Sequence, residues 1–503
     1  MSADVDVVVA GGGPAGLLLA SELRLGGAEP VVLERLPAPT GLSKALVLVG
    51  RVVQALDYRG LLERLGAGSV PAAAYSRFAH LGGIPLEVSG LIDAAPPGYF
   101  PAPVPARQAQ VEAVLEARAR ELGADVRRGH ELAGLSQDQD AVTVEVRGPR
   151  GSYRLRARYL VGCDGAHSLV RKQAGIGFPG TAPTQLHWLG EVTLAEAGLG
   201  RLPQQIERTA TGLFTAVPLG GGVHRLVVSE WARPPGHADR DTPPTIEELR
   251  AAVRRVAGLD LQMSQPRWLS RFTDAARQAG RYRAGRVLVA GDAAHIQLPA
   301  GGPGMSTAVQ DVVNLGWKLA AQVTGWAPPG LLDTYHAERH PAGQRMLSFV
   351  RAQGVLLSPG EHVTALRELM GELLTHEQAL RYVVDRLLGL DVRYAMGGAG
   401  PAHSLVGGWA PDLPLRSDGG HTRLATLMHG ARPVLLDLTA DRRLRAAAAG
   451  WTGRVQTAVA RTDQPLDGVL VRPDGYVAWA AAPGDHNTDG LRQALQTWFG
   501  PAG

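Results

Sequence analysis

A single cysteine, Cys163, stands in a chain of 503 residues. One thiol excludes an intramolecular disulfide, a CxxC redox pair and a cysteine-rich zinc site, and no metal is expected. Lysine is almost as scarce. Lys44, Lys172 and Lys318 are the only three among 51 basic residues, and the rest are arginine. No stretch approaches the roughly 18 consecutive apolar residues that read as a bilayer span. The opening Met-Ser-Ala-Asp-Val-Asp lacks the basic region of a secretory leader, so a cytoplasmic protein with no membrane contact is expected.

Glycine (64) and proline (35) together make about a fifth of the chain, more than the ordinary ~12% but short of the ~25–30% of low-complexity segments. With 45% hydrophobic residues, this is a loop-rich globular chain long enough for two or three domains. The net charge of +4 and a pI near 9.3 raise the possibility of a nucleic-acid partner. The arginines, however, are scattered among 47 acids and adjoin only in pairs such as Arg127-Arg128, Arg254-Arg255 and Arg442-Arg443. A nucleic-acid binder gathers its charge into a patch or stripe. No nucleic-acid partner is expected.

Periodicity divides the chain. Residues 1–175 alternate strand and helix patterns: Val5–Ala10, Pro14–Leu25, Pro30–Glu34 and the Gln108–Leu122 helix. Residues 176–271 are strand-rich, with runs at Leu186–Leu194, Leu213–Leu219 and His224–Trp231 before a helix at Thr245–Val256. Strand and helix alternate again over 272–396, with Val287–Ala290 and long helices. Residues 397–503 form a last block: a strand at Val434–Leu438, a hairpin over Val469–Ala480 turning at Pro473-Asp474-Gly475, and a closing helix at Thr488–Trp498.

Three motifs carry chemistry. Gly11-Gly12-Gly13-Pro14-Ala15-Gly16 follows an apolar strand and opens a helix. Gly11 permits the tight turn, Gly13 lets the backbone approach a pyrophosphate, and Gly16 lets helix pack on strand. Alone this could be a structural turn. Glu34, ending the next strand 18 residues after Gly16, adds the acid that accepts ribose hydroxyls. The second motif runs from Tyr159 to Ser168 through Asp164-Gly165, with Arg171 one helical turn beyond Ser168; by itself it reads as an ordinary Asp-Gly turn. The third runs from Val287 through Gly291-Asp292 to His295, then Pro299 to Ser306 and a helix containing Asp311 to Lys318. Asp292 can accept sugar hydroxyls, and the helix start can face a delocalised anion. His295 reads as a structural histidine.

Together these motifs resemble the FAD-dependent aromatic monooxygenases of the para-hydroxybenzoate hydroxylase fold, in particular bacterial hydroxylases of angucycline and tetracycline pathways. The likeness covers essentially the whole chain, including Leu332 to Arg339, Leu470 to Tyr476 and Thr497 to Gly500. It implies an α/β fold: a Rossmann-like FAD-binding domain (1–175 and 272–396), an inserted β-sheet substrate domain (176–271, with about 76–100 contributing) and a thioredoxin-like domain without redox cysteines (397–503). It also implies residue roles. Gly11, Gly13 and Gly16 would hold the FAD pyrophosphate, Glu34 the adenosine ribose, and Lys44 and Gln108 the phosphate region, with Ala15 and Arg35 also at the cofactor. Asp164 would serve FAD and incoming NADPH or NADH, and Asp292 the ribityl chain. Pro299, Gly301, Gly302, Gly304, Met305 and Ser306 would line the isoalloxazine, with no catalytic side chain assigned. Trp188, Phe214 and Trp231 either cover a flat substrate or are ordinary core.

The implied reaction is NAD(P)H- and O2-dependent hydroxylation of a polycyclic aromatic polyketide through a flavin C4a-hydroperoxide, by a monomer or homodimer. Four positions depart from the family pattern: Lys44 for a common Arg, Pro303 for Gln, Ser306 for Asn, and Val312 for Ala. Pro303 and Ser306 keep a Baeyer–Villiger or ring-cleaving outcome as an alternative; a resistance role and a non-catalytic FAD-holding accessory protein are further alternatives. A halogenase is disfavoured, because none of the nine tryptophans forms a Trp-x-Trp pair.

Overall fold

A computed structural model describes residues 3–66, 79–95, 99–231, 236, 242–397, 403–417, 419–439, 443–485 and 488–503. Its central sheet orders Val287–Val289, Gly151–Gly162, Val5–Ala10, Pro30–Glu34 and Asp125–Arg128 side by side, all parallel. Val7, Val8, Val9, Val32, Leu160, Val161 and Leu288 are fully buried. Such unbroken apolar runs suit strands covered on both faces. Among the described residues no helix is long and apolar enough to cross a membrane.

The inserted sheet is antiparallel, in the order Glu207–Arg208, Gly212–Gly220, Val223–Glu230, Leu186–Leu194, Met263–Thr273. Helix Ile246–Ala257, opened by a Thr245/Glu248 capping box, covers one face. Strand alternation turns Leu186, Trp188, Val192, Phe214, Leu226 and Val228 toward that helix. Trp188 and Phe214, 2% and 0% exposed, are therefore core and do not cover a substrate. The opposite face carries the cross-strand row Leu213, Ser229, His187 and Phe272. There His187 Nδ1 lies 2.5 Å from Ser229 Oγ, its ring stacks on Phe272 at 4.8 Å, and burial pushes its pKa down to about 4.

Helices Pro303–Thr324, Thr334–Leu357, Glu361–Leu373 and Glu377–Leu388 complete the middle of the chain. Of residues 76–100, Leu81, Ile84, Leu86 and Leu91 pack with Leu356, Leu380, Val384 and Leu388 of these helices. Residues 76–78 and 96–98 lie outside the described residues. The C-terminal sheet has the order Gln456–Val459, Val434–Asp437, Gly468–Val471, Val477–Ala481. Its first pair is parallel and the others antiparallel, and helix Thr488–Phe499 closes it. This order and these directions are those of a thioredoxin core.

A buried polar cluster joins that domain to the rest. Lys318 Nζ donates to Asn314 Oδ1 (2.8 Å) and Glu338 Oε2 (2.7 Å). Arg472 grips both oxygens of Glu338 at 2.7 and 2.8 Å and reaches Asp474. Two cations meet two carboxylates. Burial works against ionising Glu338, but Arg472 and Lys318 overrule it and hold its pKa far below the usual range. Burial pushes Lys318 down to about 8. The lysine that stands among the flavin motifs in sequence thus serves the C-terminal interface.

Two measurements check these points. Arg472→Met strands Glu338 and Asp474 with one cation, and urea unfolding should show a loss of about 3–5 kcal/mol; Arg472→Lys, lacking the planar fork, recovers only part. His187 stays neutral while its unfolded counterpart takes up a proton below pH ~6.5, so stability falls as pH drops from there toward 4. The stability gap between wild type and His187→Gln should narrow by about 3 kcal/mol between pH 7 and pH 4.

Candidate active site

Parallel strands bring their carboxyl ends to one edge. The register Ala10↔Leu33, Ala10↔Gly162 and Gly162↔Val289 sets Gly11, Glu34, Asp164 and Asp292 along that edge. Open α/β sheets bind ligands in the crevice outside these ends.

Gly11 has φ +108°, and a Cβ there would lie 2.3 Å from Cys163 O; at Gly16 it would lie 1.9 Å from Gly11 O. Only glycine closes this turn. Gly13 differs: a Cβ there would meet nothing within 4 Å, so the backbone borders open space. Helix Pro14–Leu25, whose first turn no side chain caps, starts at that space. Glu34 leans over the turn, accepting from Gly12 N (2.7 Å) and Leu36 N (2.9 Å). Arg35 and Lys44 are exposed.

Asp164 accepts from Val170 N at 3.1 Å through Oδ2, while Oδ1 is buried and has no partner among the described residues. Arg171 ties this motif to the third by donating to Ala166 O and Ala293 O at 3.0 and 2.9 Å. Its guanidinium sits 3.7 Å over the Phe178 ring.

Gly291–Ala293 forms one 3-10 turn, with Asp292 exposed. Asp311, fully buried, accepts from Gly291 N (3.3 Å) and Arg339 Nε (2.8 Å) and lies 2.7 Å from His295 Nε2. Burial alone would raise the Asp311 pKa; His295 and Arg339 outweigh it and hold it low. His295 is a structural histidine, as expected. The parts of Asp311 and Arg339 were missed, although charges set in apolar helical sequence were a signal.

The loop before helix Pro303–Thr324 turns through Gly301 and Gly302, both at positive φ. Pro303 occupies the first helical position, where an N–H finds no partner within the helix, so the helix loses nothing by it. The Ser306 carbonyl and hydroxyl face Gln310 Nε2 at 3.3 and 3.5 Å. Met305 packs on the main core, and Gly304 lies beside Gln297. Gln108, the first residue of helix Gln108–Glu121, meets the Lys44 loop: it accepts from Ala45 N (3.4 Å) and donates to Glu112 (2.8 Å). Arg225, paired with Glu191, reaches across from the inserted sheet to Ser43 O and Lys44 O.

A cavity of about 300 Å³ is bounded by Gln185, Leu213, Trp231 and Asp274, by Leu298 next to Pro299, and by Leu357. Trp231, unlike Trp188 and Phe214, therefore borders a cavity. The open space at Gly13, the unpartnered Asp164 Oδ1, two helix starts that no side chain caps and the exposed Asp292 suit a dinucleotide with a sugar-alcohol arm.

Comparison with known proteins agrees. The family described as "FAD binding domain" matches residues 4–350, and "Aromatic-ring hydroxylase, C-terminal" matches 403–502. A Streptomyces rimosus relative, "12-dehydrotetracycline 5-monooxygenase/anhydrotetracycline 6-monooxygenase", is 48% identical over 510 residues, covering 99% of both chains. The "Dialkyldecalin synthase" of Streptomyces rugosporus is 42% identical over 499 residues, covering 99% of both. The solved structure of an aromatic hydroxylase from angucycline biosynthesis shares 43% identity with a TM-score of 0.90, over 99% of this chain and 100% of that one. The chain belongs to the FAD-dependent aromatic-ring hydroxylase family and is a flavin monooxygenase.

Proposed function

We propose that this chain hydroxylates a polycyclic aromatic polyketide, using FAD, NAD(P)H and O2 in the cytoplasm. The observation that carries the reading is the cavity between the inserted sheet and Leu298, the residue that precedes the Pro299–Ser306 loop. Gly11, Gly13, Ala15 and Gly16 take the pyrophosphate; Glu34 and Arg35 take the adenosine ribose, with Lys44 and Gln108 toward the phosphates. Asp164 offers its free oxygen to the cofactor and the nicotinamide donor, and Asp292 takes the ribityl hydroxyls. Pro299, Gly301, Gly302, Gly304, Met305 and Ser306 border the ring.

Bound FAD supplies the activated oxygen that no side chain can make. The protein holds the target carbon in line and keeps water away, with Leu213, Trp231, Leu298 and Leu357 as apolar walls. The start of helix Pro303–Thr324 faces negative charge on the ring with its positive end. Pro303 removes one backbone donor from that end, and this altered loop keeps a Baeyer–Villiger outcome as second reading.

Asp292 is exposed, so Asp292→Ala should leave stability within about 0.5 kcal/mol. Its flavin content after purification should fall severalfold. A protein that stays fully yellow removes the ribityl role. NADPH oxidation across polycyclic phenols under ¹⁸O2, read by mass spectrometry, should show one labelled oxygen as a ring hydroxyl. A labelled lactone selects the second reading, and background consumption with every phenol rejects both.

A further inference from the structure

We propose that Arg351 selects the substrate by charge, donating through its guanidinium to a planar, carboxylate-like oxyanion on the flat ring system. This rests on the cavity being the substrate site. One wall of that cavity comes from the inserted sheet and its strand ends, with Leu213, Trp231 and Asp274. Another comes from the last turns of helix Thr334–Leu357, with Val350, Arg351 and Val355. Positions 350, 354 and 357, and positions 351, 355 and 358, all line it; this is the spacing of neighbours on one helical face. Arg351 and Asp274 are the only charged residues among those that line it.

The two charges stand differently. Asp274 is already engaged, accepting from Thr184 N (2.7 Å), Gln185 N (2.9 Å) and Thr184 Oγ1. Arg351 is exposed and makes no hydrogen bond or ion pair among the described residues. No partner holds it away from the cavity, so a ligand that takes it breaks no existing pair. Buried arginines of this chain are consumed instead: Arg225 by Glu191, Arg339 by Asp311, Arg472 by Glu338. A guanidinium carries five N–H donors, no acceptor and a permanent charge, so the residue type alone fixes the direction of the bond and the sign of the ligand. Its planar fork matches two oxygens held in one plane. Leu213, Trp231, Leu298 and Leu357 shield a bound anion from water, and the attraction to a cation strengthens as water leaves. Asp274, on the sheet wall, repels the same group. The pair of charges thus favours one end-for-end orientation of the ring system.

The probes are anthraquinone-2-carboxylate and its neutral primary amide, two flat tricycles of nearly equal shape. Both are titrated at neutral pH, where the acid is ionised, into oxidised holoenzyme without NADPH. Tryptophan quenching follows binding, with Trp231 as a reporter at the cavity. Wild type should prefer the carboxylate by about tenfold, the low end for a hydrogen bond to a charged group. Arg351→Met should abolish that preference by weakening the carboxylate alone, with flavin content unchanged. The residue is exposed, so folding is not at stake. Arg351→Lys, which keeps the charge but not the fork, should retain part of the preference. Leu213→Trp, which fills the cavity, should weaken both probes. A wild type without preference, an unchanged ratio in Arg351→Met, or equal weakening of both probes there overturns the role of Arg351 and leaves the cavity assignment standing. Failure of wild type to bind either probe, or binding that Leu213→Trp leaves untouched, overturns the cavity assignment, and this inference with it.

Discussion

The Asp311 carboxylate, with no access to water, has three partners on two other segments: the Gly291 N–H and His295 on one, Arg339 on the other. A buried charge left unpaired is among the costliest defects a fold can carry. The Gly291–Ala293 turn, the start of helix Pro303–Thr324 and the helix Thr334–Leu357 can therefore take up only one mutual arrangement without stranding it. That arrangement sets Asp292 at the carboxyl edge of the sheet beside Gly11 and Asp164. Arg339 carries the constraint outward, donating to Tyr394 Oη at 2.9 Å, and the Tyr394 ring lies 4.1 Å from that of Tyr476 in the C-terminal domain.

That domain keeps the thioredoxin strand order without any cysteine, and it is braced firmly against the rest of the chain. Its turn at Pro473-Asp474-Gly475 is where the chain is held: Arg472 and Asp474 join Lys318 and Glu338, and Arg59 donates to Pro473 O at 2.7 Å while gripping Glu22. Glu22 belongs to the helix that begins at the Gly11–Gly16 turn, and Lys318 to the helix that follows the Gly301-Gly302 loop. The two helices are thus fastened, further along, to the same hairpin. Their directions, and so the directions of their dipoles, are braced by the C-terminal domain.

Much of this was legible in the sequence where the cause is local. Gly11 and Gly16 announce themselves because backbone geometry there admits no side chain, and the Glu34 spacing follows from one strand–helix–strand unit. The strands of 176–271 and the Pro473-Asp474-Gly475 hairpin were also readable from alternation and turn chemistry. What stayed hidden depends on long-range placement. Alternation shows that Trp188 and His187 face opposite sides, but not which side helix Ile246–Ala257 will cover. For Trp188 the sequence therefore left substrate cover and ordinary core equally open. Asp311 and Arg339 were visible only as polar positions in helices, since their pairing spans 28 residues and needs the tertiary fold.

The arginine excess follows from the same physics. Arg59, Arg171, Arg225 and Arg472 are all less than 6% exposed, and each bridges segments far apart in sequence through backbone carbonyls, carboxylates or both. Arg225 joins the inserted sheet to the Lys44 loop, and Arg171 joins two cofactor motifs. A planar fork with five donors, weakly hydrated and always charged, can satisfy several acceptors at once in a dry interior. An ammonium ion is a more strongly hydrated point charge, and burial readily lowers its pKa. The lysines show the contrast: Lys44 and Lys172 are exposed, and Lys318, the one that is buried, has its pKa pushed down to about 8 despite Glu338 beside it. In a chain built from three interlocked parts around one extended crevice, the basic charge that resembles a nucleic-acid footprint is in part internal cross-bracing.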